Sequence, residues 1–352
     1  MATWLIYGAY GYTGRLIGRE ALKRDVDFAI AGRDAERIAD LQAKWQVPGH
    51  VVSLDDHDAL VNVLRTVDGV MHCAGPFEDT AFPMVEACLK AGTHYLDITG
   101  EWRVFEALRA RHEAAQEAGV VLLPGTGFDV VPTDCVAATL AEAYPDATAL
   151  SLGFVGLGSI SRGTALTALR GWGEGSLMRR NGNLVRIPPG THTRQVDIAG
   201  RSRTLTAIPW GDISTAYHST GIPTISVYTY VPPVMRQLMY WSAYLPTWAR
   251  NSVRPLIEAL LKQTLDGPDA ETRREGASWV WGEVQSPDGT RHTARWKGPE
   301  GYTLTARAAV ECMIHALKTP PSPGYHTPST AFGADLVAAV HQSTSVELHD
   351  AP

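Results

Sequence analysis

Three glycines at a spacing of three, Gly8, Gly11 and Gly14, follow the apolar run Leu5-Ile6-Tyr7 and open a helical pattern through Leu16 and Ile17. A strand that turns tightly into a helix presents backbone N–H groups at the positive end of the helix dipole, and that end attracts anions. Glycine removes the Cβ that would hold a pyrophosphate away from the backbone. The chemistry suggested is dinucleotide binding by Gly8, Tyr10, Gly11, Tyr12, Thr13 and Gly14. The spacing is G-x-x-G-x-x-G, not the commoner G-x-G-x-x-G, because position 10 is Tyr. Such a loop can also be a plain tight turn. What favours the site is a second strand, Phe28-Ala29-Ile30-Ala31, arriving where a βαβ unit needs it.

The residues ending that second strand select the cofactor. NAD sites use a carboxylate there for the ribose 2′-hydroxyl. Here the strand runs into Gly32-Arg33-Asp34, and a guanidinium pairs well with a 2′-phosphate. NADP is therefore expected over NAD, against the alternative that Arg33 is a solvated charge and Asp34 a helix cap. Asp55 follows the third strand, where it would meet an adenine amine. Ala74-Gly75-Pro76-Phe77, Thr99-Gly100-Glu101 and Gly127-Phe128-Asp129 follow the next three. Ligands of open α/β sheets bind off these carboxyl ends. Hydride transfer needs little side-chain chemistry beyond a proton donor. Asp129 and Glu101 are the candidates, since a carboxyl in an apolar cleft keeps its proton; Tyr12 is a third.

Other chemistries find less support. No Ser-His-Asp set or H-E-x-x-H motif stands out, and no C-x-x-C pair suggests a metal. His72 and His94 lie in or beside predicted strands, where a structural role fits. A semialdehyde dehydrogenase-type enzyme would need a nucleophilic Cys; Cys135 falls within a predicted helix. Arg162, Arg179 and Arg180 could hold a substrate carboxylate or line a solvated face.

The elements that must position these residues alternate. Predicted strands at 28–31, 51–54, 69–74, 94–98 and 120–123 are separated by helices over 34–45, 55–67, 80–91 and 102–118. That pattern predicts an α/β fold: a Rossmann doubly wound parallel sheet over residues 1–130. Residues 131–301 predict a second α+β domain containing an antiparallel sheet. It has strands at 150–155, 193–208 and 224–231, a hairpin over 279–296 turning at Ser286-Pro287-Asp288-Gly289, and a helix from Arg162 to Leu177. Residues 235–248 carry Met235, Leu238, Met239, Tyr240, Trp241, Tyr244, Leu245 and Trp248. They are read as a helix buried in a domain or dimer interface, with a substrate lid or a lipid-contacting helix as alternatives; Pro246 ends or kinks it.

Composition sets outer bounds. The 352 residues are 45% hydrophobic and 19% charged, ordinary for a globular chain with room for two cores. A net charge of −6 without a basic block argues against nucleic acid as partner. The four cysteines lie far apart, which suits a reducing, cytoplasmic setting. The first strand begins at the N-terminus, so no signal peptide is expected, and no apolar run is long enough for a transmembrane helix. The expected partner is a small-molecule substrate, with a hydrophobic one and a homodimer both compatible with the aromatic stretch.

Several motifs together resemble the saccharopine dehydrogenase-like oxidoreductases. They are Tyr7-Gly8-Ala9-Tyr10-Gly11-Tyr12-Thr13-Gly14, Cys73-Ala74-Gly75-Pro76-Phe77, Tyr95-Leu96-Asp97-Ile98-Thr99-Gly100-Glu101 and the run from Gly127 to Asp134. Gly301–Arg307 and Thr327–Gly333 are similar too. The resemblance covers the first 140 residues and the last 50, and leans to the branch that includes trans-acting enoyl reductases of lipid biosynthesis more than to true saccharopine reductases. It implies a Rossmann domain binding NADP(H), a substrate domain, and a C-terminal segment, 302–352, returning to the first domain. It places Gly8, Gly11 and Gly14 on the pyrophosphate and Arg33 on the 2′-phosphate. Ala74, Gly75 and Pro76 fall beside the nicotinamide ribose, with Glu101, Phe128 and Asp129 on the nicotinamide side. The function implied is hydride transfer to or from a C=N or activated C=C bond. An inert NADP-binding protein that recruits a partner or lipid surface through the aromatic helix is the alternative.

Overall fold

Short strands that are apolar throughout need cover on both faces, which a parallel sheet flanked by helices provides. The computed structural model describes residues 3–156, 175–264 and 267–350, with 163, 165, 166, 169 and 171. In it β1 (Trp4–Tyr7), β2 (Phe28–Gly32) and β4 (Gly69–His72) are buried at every residue. With β3 (Gly49–Val51), β5 (His94–Asp97), β6 (Val121–Leu123) and β15 (Gly324–Tyr325) they form a seven-stranded sheet ordered β15-β6-β5-β4-β1-β2-β3. Every pairing in it is parallel. The order reverses between β1 and β4, the switch point at which doubly wound sheets open a crevice. This is the Rossmann architecture.

The helices are α1 (Tyr12–Lys23), α2 (Ala35–Trp45), α3 (His57–Leu64), α4 (Phe77–Ala91), α5 (Trp102–Arg109) and α6 (His112–Glu117). Leu60, Leu64, Met84, Val85 and Leu108 from these helices pack with Leu5, Val70, Tyr95 and Leu122 of the sheet in one buried cluster. Three boundaries differ from the sequence expectation. The third strand lies at 49–51 rather than 51–54. The helix expected over 102–118 is two, broken at Ala110-Arg111 where neither Gly nor Pro signals a stop. And α4 starts at Phe77, three residues before expectation, because its first amides find a distant cap.

The chain divides into two compact units, Met1–Val131 with Tyr302–His341, and Pro132–Gly301 with Gln342–Pro352. The first unit thus includes α12 (Gly301–Lys318) almost whole, β15, α13 (Pro328–Phe332) and α14 (Leu336–Ala339). The expectation that all of 302–352 returns to the first domain needs correction: β16 (Glu347–Asp350) pairs antiparallel with β14 (Arg291–Pro299) of the second sheet.

That second unit holds α7 (Val131–Ala143) and a nine-stranded sheet. Its path is β10 (Thr193–Ile198), β11 (Arg201–Ala207), β12 (Thr224–Tyr230), β7 (Ala149–Val155), β13 (Ala277–Gln285), β14 (Arg291–Pro299) and β16. β8 (Ser176–Arg180) and β9 (Asn183–Ile187) branch from β12. Among the described residues of this second sheet only β7 and β12 pair in parallel. Half of the helix expected from Arg162 to Leu177 falls outside the described residues; of the rest, residues 163, 165, 166 and 169 are helical, while Ser176 and Leu177 belong to β8. There Asn181 and Gly182, with φ of 48° and 79°, make the tight turn to β9. The remaining helices are α8 (Asp212–Thr220), α9 (Pro233–Ser242), α10 (Thr247–Thr264) and α11 (Ala270–Glu275). The aromatic stretch spans α9 and the start of α10, with Pro246 between them. It is not buried within the single chain, where Trp241 is 58% exposed and Trp248 73%. No helix among the described residues is long and apolar enough to cross a membrane.

Candidate functional site

The glycine loop is packed so tightly that glycine is required at its two ends. Gly8 has φ +81°, and a Cβ on it would lie 2.9 Å from Ala74 Cβ and 3.0 Å from Ala74 N. A Cβ on Gly14 would lie 2.5 Å from Gly8 O. Gly11 N donates to Gly8 O at 2.9 Å, and Gly8 N donates to Ala31 O at 2.8 Å. Gly11 is the N-cap of α1 and makes no side-chain cap bond. The loop thus offers a helix N-terminus with no capping side chain, floored by glycine and walled by Ala74. Those features fit an anionic pyrophosphate. Tyr12 and Thr13 begin α1, and the Tyr12 ring meets the Tyr302 ring edge-on at 5.0 Å.

At the end of β2, the Tyr10 ring lies against Gly32, where a Cβ would collide with it. Arg37 stands 5.6 Å above the same ring and pairs with Asp34 at 3.3 Å. Asp34 caps α2, accepting from Arg37 N at 3.1 Å. Arg33 is exposed beside it, as is Asp55, which Ser53 Oγ contacts at 3.1 Å. The sequence expectation missed Arg37. A cation three residues past an N-cap lies on the first turn and faces the strand end, which is the signal that was available.

The acidic strand ends come together at β5 and β6. Asp97 is fully buried and accepts from Tyr95 Oη at 2.7 Å, Thr99 N at 3.0 Å and Gly125 N at 2.8 Å. Burial outweighs these bonds and raises its pKa to about 6. Glu101 spends both oxygens on α4: Oε1 accepts from Phe77 N at 3.1 Å and Oε2 from Glu78 N at 2.7 Å. That is a helix cap supplied from 24 residues away. Gly100 and Asp129 touch, since a Cβ on Gly100 would lie 2.8 Å from Asp129 Oδ2. Burial first, then the Glu101 carboxylate, raise the Asp129 pKa to about 7. Phe128 is buried, and its N–H donates to Thr305 Oγ1 at 3.0 Å. Thr305 and Tyr302 belong to the motif from Gly301 to Arg307, which had been given no role.

The groups expected to be structural are placed so. His72 is buried, its Nε2 3.1 Å from Thr80 Oγ1, with a pKa pushed down to about 3 by burial. Cys135 is buried on α7. Arg179, expected to hold a substrate carboxylate or line a solvated face, is instead buried and donates to Ile213 O and Gly182 O, each at 2.7 Å. Arg180 is exposed, and Arg162 lies outside the described residues.

Residues 4–123 match the family described as the saccharopine dehydrogenase NADP binding domain. A human saccharopine dehydrogenase-like oxidoreductase is 27% identical over 212 residues, 53% of this chain and 49% of that protein. A trans-acting enoyl reductase of Mycobacterium ulcerans is 30% identical over 140 residues, 37% of this chain and 33% of that protein. The chain spans about a third to a half of the length of the curated relatives it matches. Among solved structures, apo saccharopine dehydrogenase (L-Glu forming) from Saccharomyces cerevisiae aligns with a TM-score of 0.65. That alignment covers 99% of this chain and 100% of that one at 13% identity, a likeness of fold. Over residues 4–123, about a third of its length, the chain is thus similar to the saccharopine dehydrogenase NADP binding domain, and NADP(H) is the cofactor that this match supports.

Proposed function

We propose that this chain is an NADPH-dependent reductase acting on a C=N or an activated C=C bond of a small or lipid-like substrate. The observation that carries it is Asp129: a carboxyl in the loop after β6, against Gly100 and near the Glu101 carboxylate that caps α4, with a pKa of about 7. NADPH supplies a hydride when bound. Reduction of either bond also consumes one proton, and a carboxyl that keeps its proton near neutrality is suited to give it. Gly8, Tyr10, Gly11, Tyr12, Thr13 and Gly14 hold the pyrophosphate and its surroundings. Arg33, joined by Arg37, receives the 2′-phosphate, and Asp55 receives the adenine. Ala74, Gly75, Pro76 and Phe128 enclose the reacting end. Glu101 fixes the α4 N-terminus and acts on Asp129 through its charge.

Titration with NADPH and NADH tests the cofactor half. Tight NADPH and weak NADH binding are expected. Arg33→Ala should weaken NADPH binding by about 1–3 kcal/mol while sparing NADH, through loss of a charge-assisted contact. Equal weakening of both would sink the 2′-phosphate assignment. Turnover with cyclic imines and enoyl thioesters tests the other half; NADPH binding without turnover of any such substrate would favour an inert binding protein. Glu101→Gln removes a charge that raises the Asp129 pKa, so the basic limb of the turnover profile should move to lower pH. An unmoved limb would detach Glu101 from the proton donor.

A further inference from the structure

An amphipathic helix on a globular surface turns its apolar stripe inward. The helices α9 and α10 do the reverse. On α9, Val234, Leu238 and Trp241 recur at helical spacing and are 74%, 57% and 58% exposed. On α10, Trp248 and Leu256 share a stripe and are 73% and 71% exposed. Arg236 and Arg254, on the same helices, are only half-buried, nearer the protein than these apolar neighbours. The inward side of α9 is a real packing face: Ser242 is buried, and a Cβ on Gly190 would lie 2.7 Å from Arg236 O. The stripe is therefore presented outward by a seated helix.

Charge says what covers it. Residues 233–264 hold Arg236, Arg250, Arg254 and Lys262 against the single acid Glu258, within a chain whose net charge is −6. Two copies meeting face to face would bring like charges together. An anionic lipid surface meets both features, taking the apolar stripe at the headgroup boundary and pairing its phosphates with the cations. Trp and Tyr, here Tyr240, Trp241, Tyr244 and Trp248, suit that boundary because their rings are apolar and their N–H and O–H ends polar. We infer that α9 and α10 dock this chain in the interface of an anionic membrane or lipid particle without crossing it.

The test is co-sedimentation of the whole chain with phosphatidylcholine vesicles, with and without phosphatidylglycerol. Binding to the phosphatidylglycerol vesicles should be at least about tenfold tighter and should weaken as salt is raised. The double variant Trp241→Glu, Leu256→Glu should lower it about tenfold or more, with an unchanged thermal melt because both side chains are exposed. Failure to bind either vesicle overturns the inference. Equal binding to both kinds also overturns it, since charge would then play no part. A dimer in sedimentation equilibrium that the double variant disperses, with no vesicle binding, would give the face to a second copy instead.

Discussion

Asp129→Asn should lose about a hundred- to ten-thousandfold in kcat for reduction while binding NADPH nearly as before, because general-acid catalysis contributes on that scale. The amide keeps the size and polarity of the carboxyl and removes only the proton that can leave. The pH dependence fixes the sign. With a pKa of about 7, the carboxyl carries its proton below neutrality and loses it above. Reduction should be fast on the acid side and fall as pH rises through about 7; the variant should show a flat, low profile. Stability runs in a linked direction. An aspartate near 3.8 when unfolded and near 7 when folded makes the folded state bind the extra proton between those values, so stability falls as pH rises through that window. Asp129→Asn removes an unfavourable buried charge at alkaline pH, so its melting temperature at pH 8 should equal or exceed that of the parent. Full activity in the variant, or a melt far below the parent, would make Asp129 a structural residue.

Legibility in the sequence followed the range of the forces involved. The apolar strands and the glycine loop were legible because each is a local pattern: Trp4 to Tyr7 is buried by its own composition, and the turn at Gly8 needs only its own φ. The start of α4 was not, since the carboxylate that caps Phe77 and Glu78 is Glu101, across the β5 strand end. β15 is two residues long and exists because Gly324 and Tyr325 pair with Val121 and Leu122. Thr305 meets Phe128 across 177 residues of chain, which no spacing rule reaches. The Asn181-Gly182 turn is a local hairpin signal to which the reading of the sequence assigned no element. In the aromatic stretch the sequence conveys that a helix is apolar but not what it faces, and the single chain leaves Trp241 and Trp248 exposed.

The glycine loop makes the sharpest separation between folding and binding. Gly14→Ala should destabilise the protein by about 2–4 kcal/mol, because its Cβ would sit 2.5 Å from Gly8 O and 3.0 Å from Ala9 Cα. Both atoms are backbone, so no side chain can swing aside. Gly8→Ala adds a left-handed φ of +81° to its collision with Ala74 and should be at least as harmful. Gly11 is different. Its φ of −67° suits any residue, and the nearest atom to a Cβ there is Gly8 O at 3.2 Å. Gly11→Ala should therefore leave the melt of the cofactor-free protein within about 1 kcal/mol of the parent, the modest loss expected for exchanging glycine at an N-cap. Its Cβ would nonetheless occupy the approach to the α1 N-terminus. NADPH binding should fall by about tenfold to a hundredfold, and NADH binding with it, since both carry the pyrophosphate. Calorimetric titration beside a thermal melt reads the two effects separately. Parental affinity in a stable Gly11→Ala protein would move the pyrophosphate off this loop. A collapse in stability matching that of Gly14→Ala would mean that the loop tolerates no Cβ at all, and its glycines would then report on packing alone.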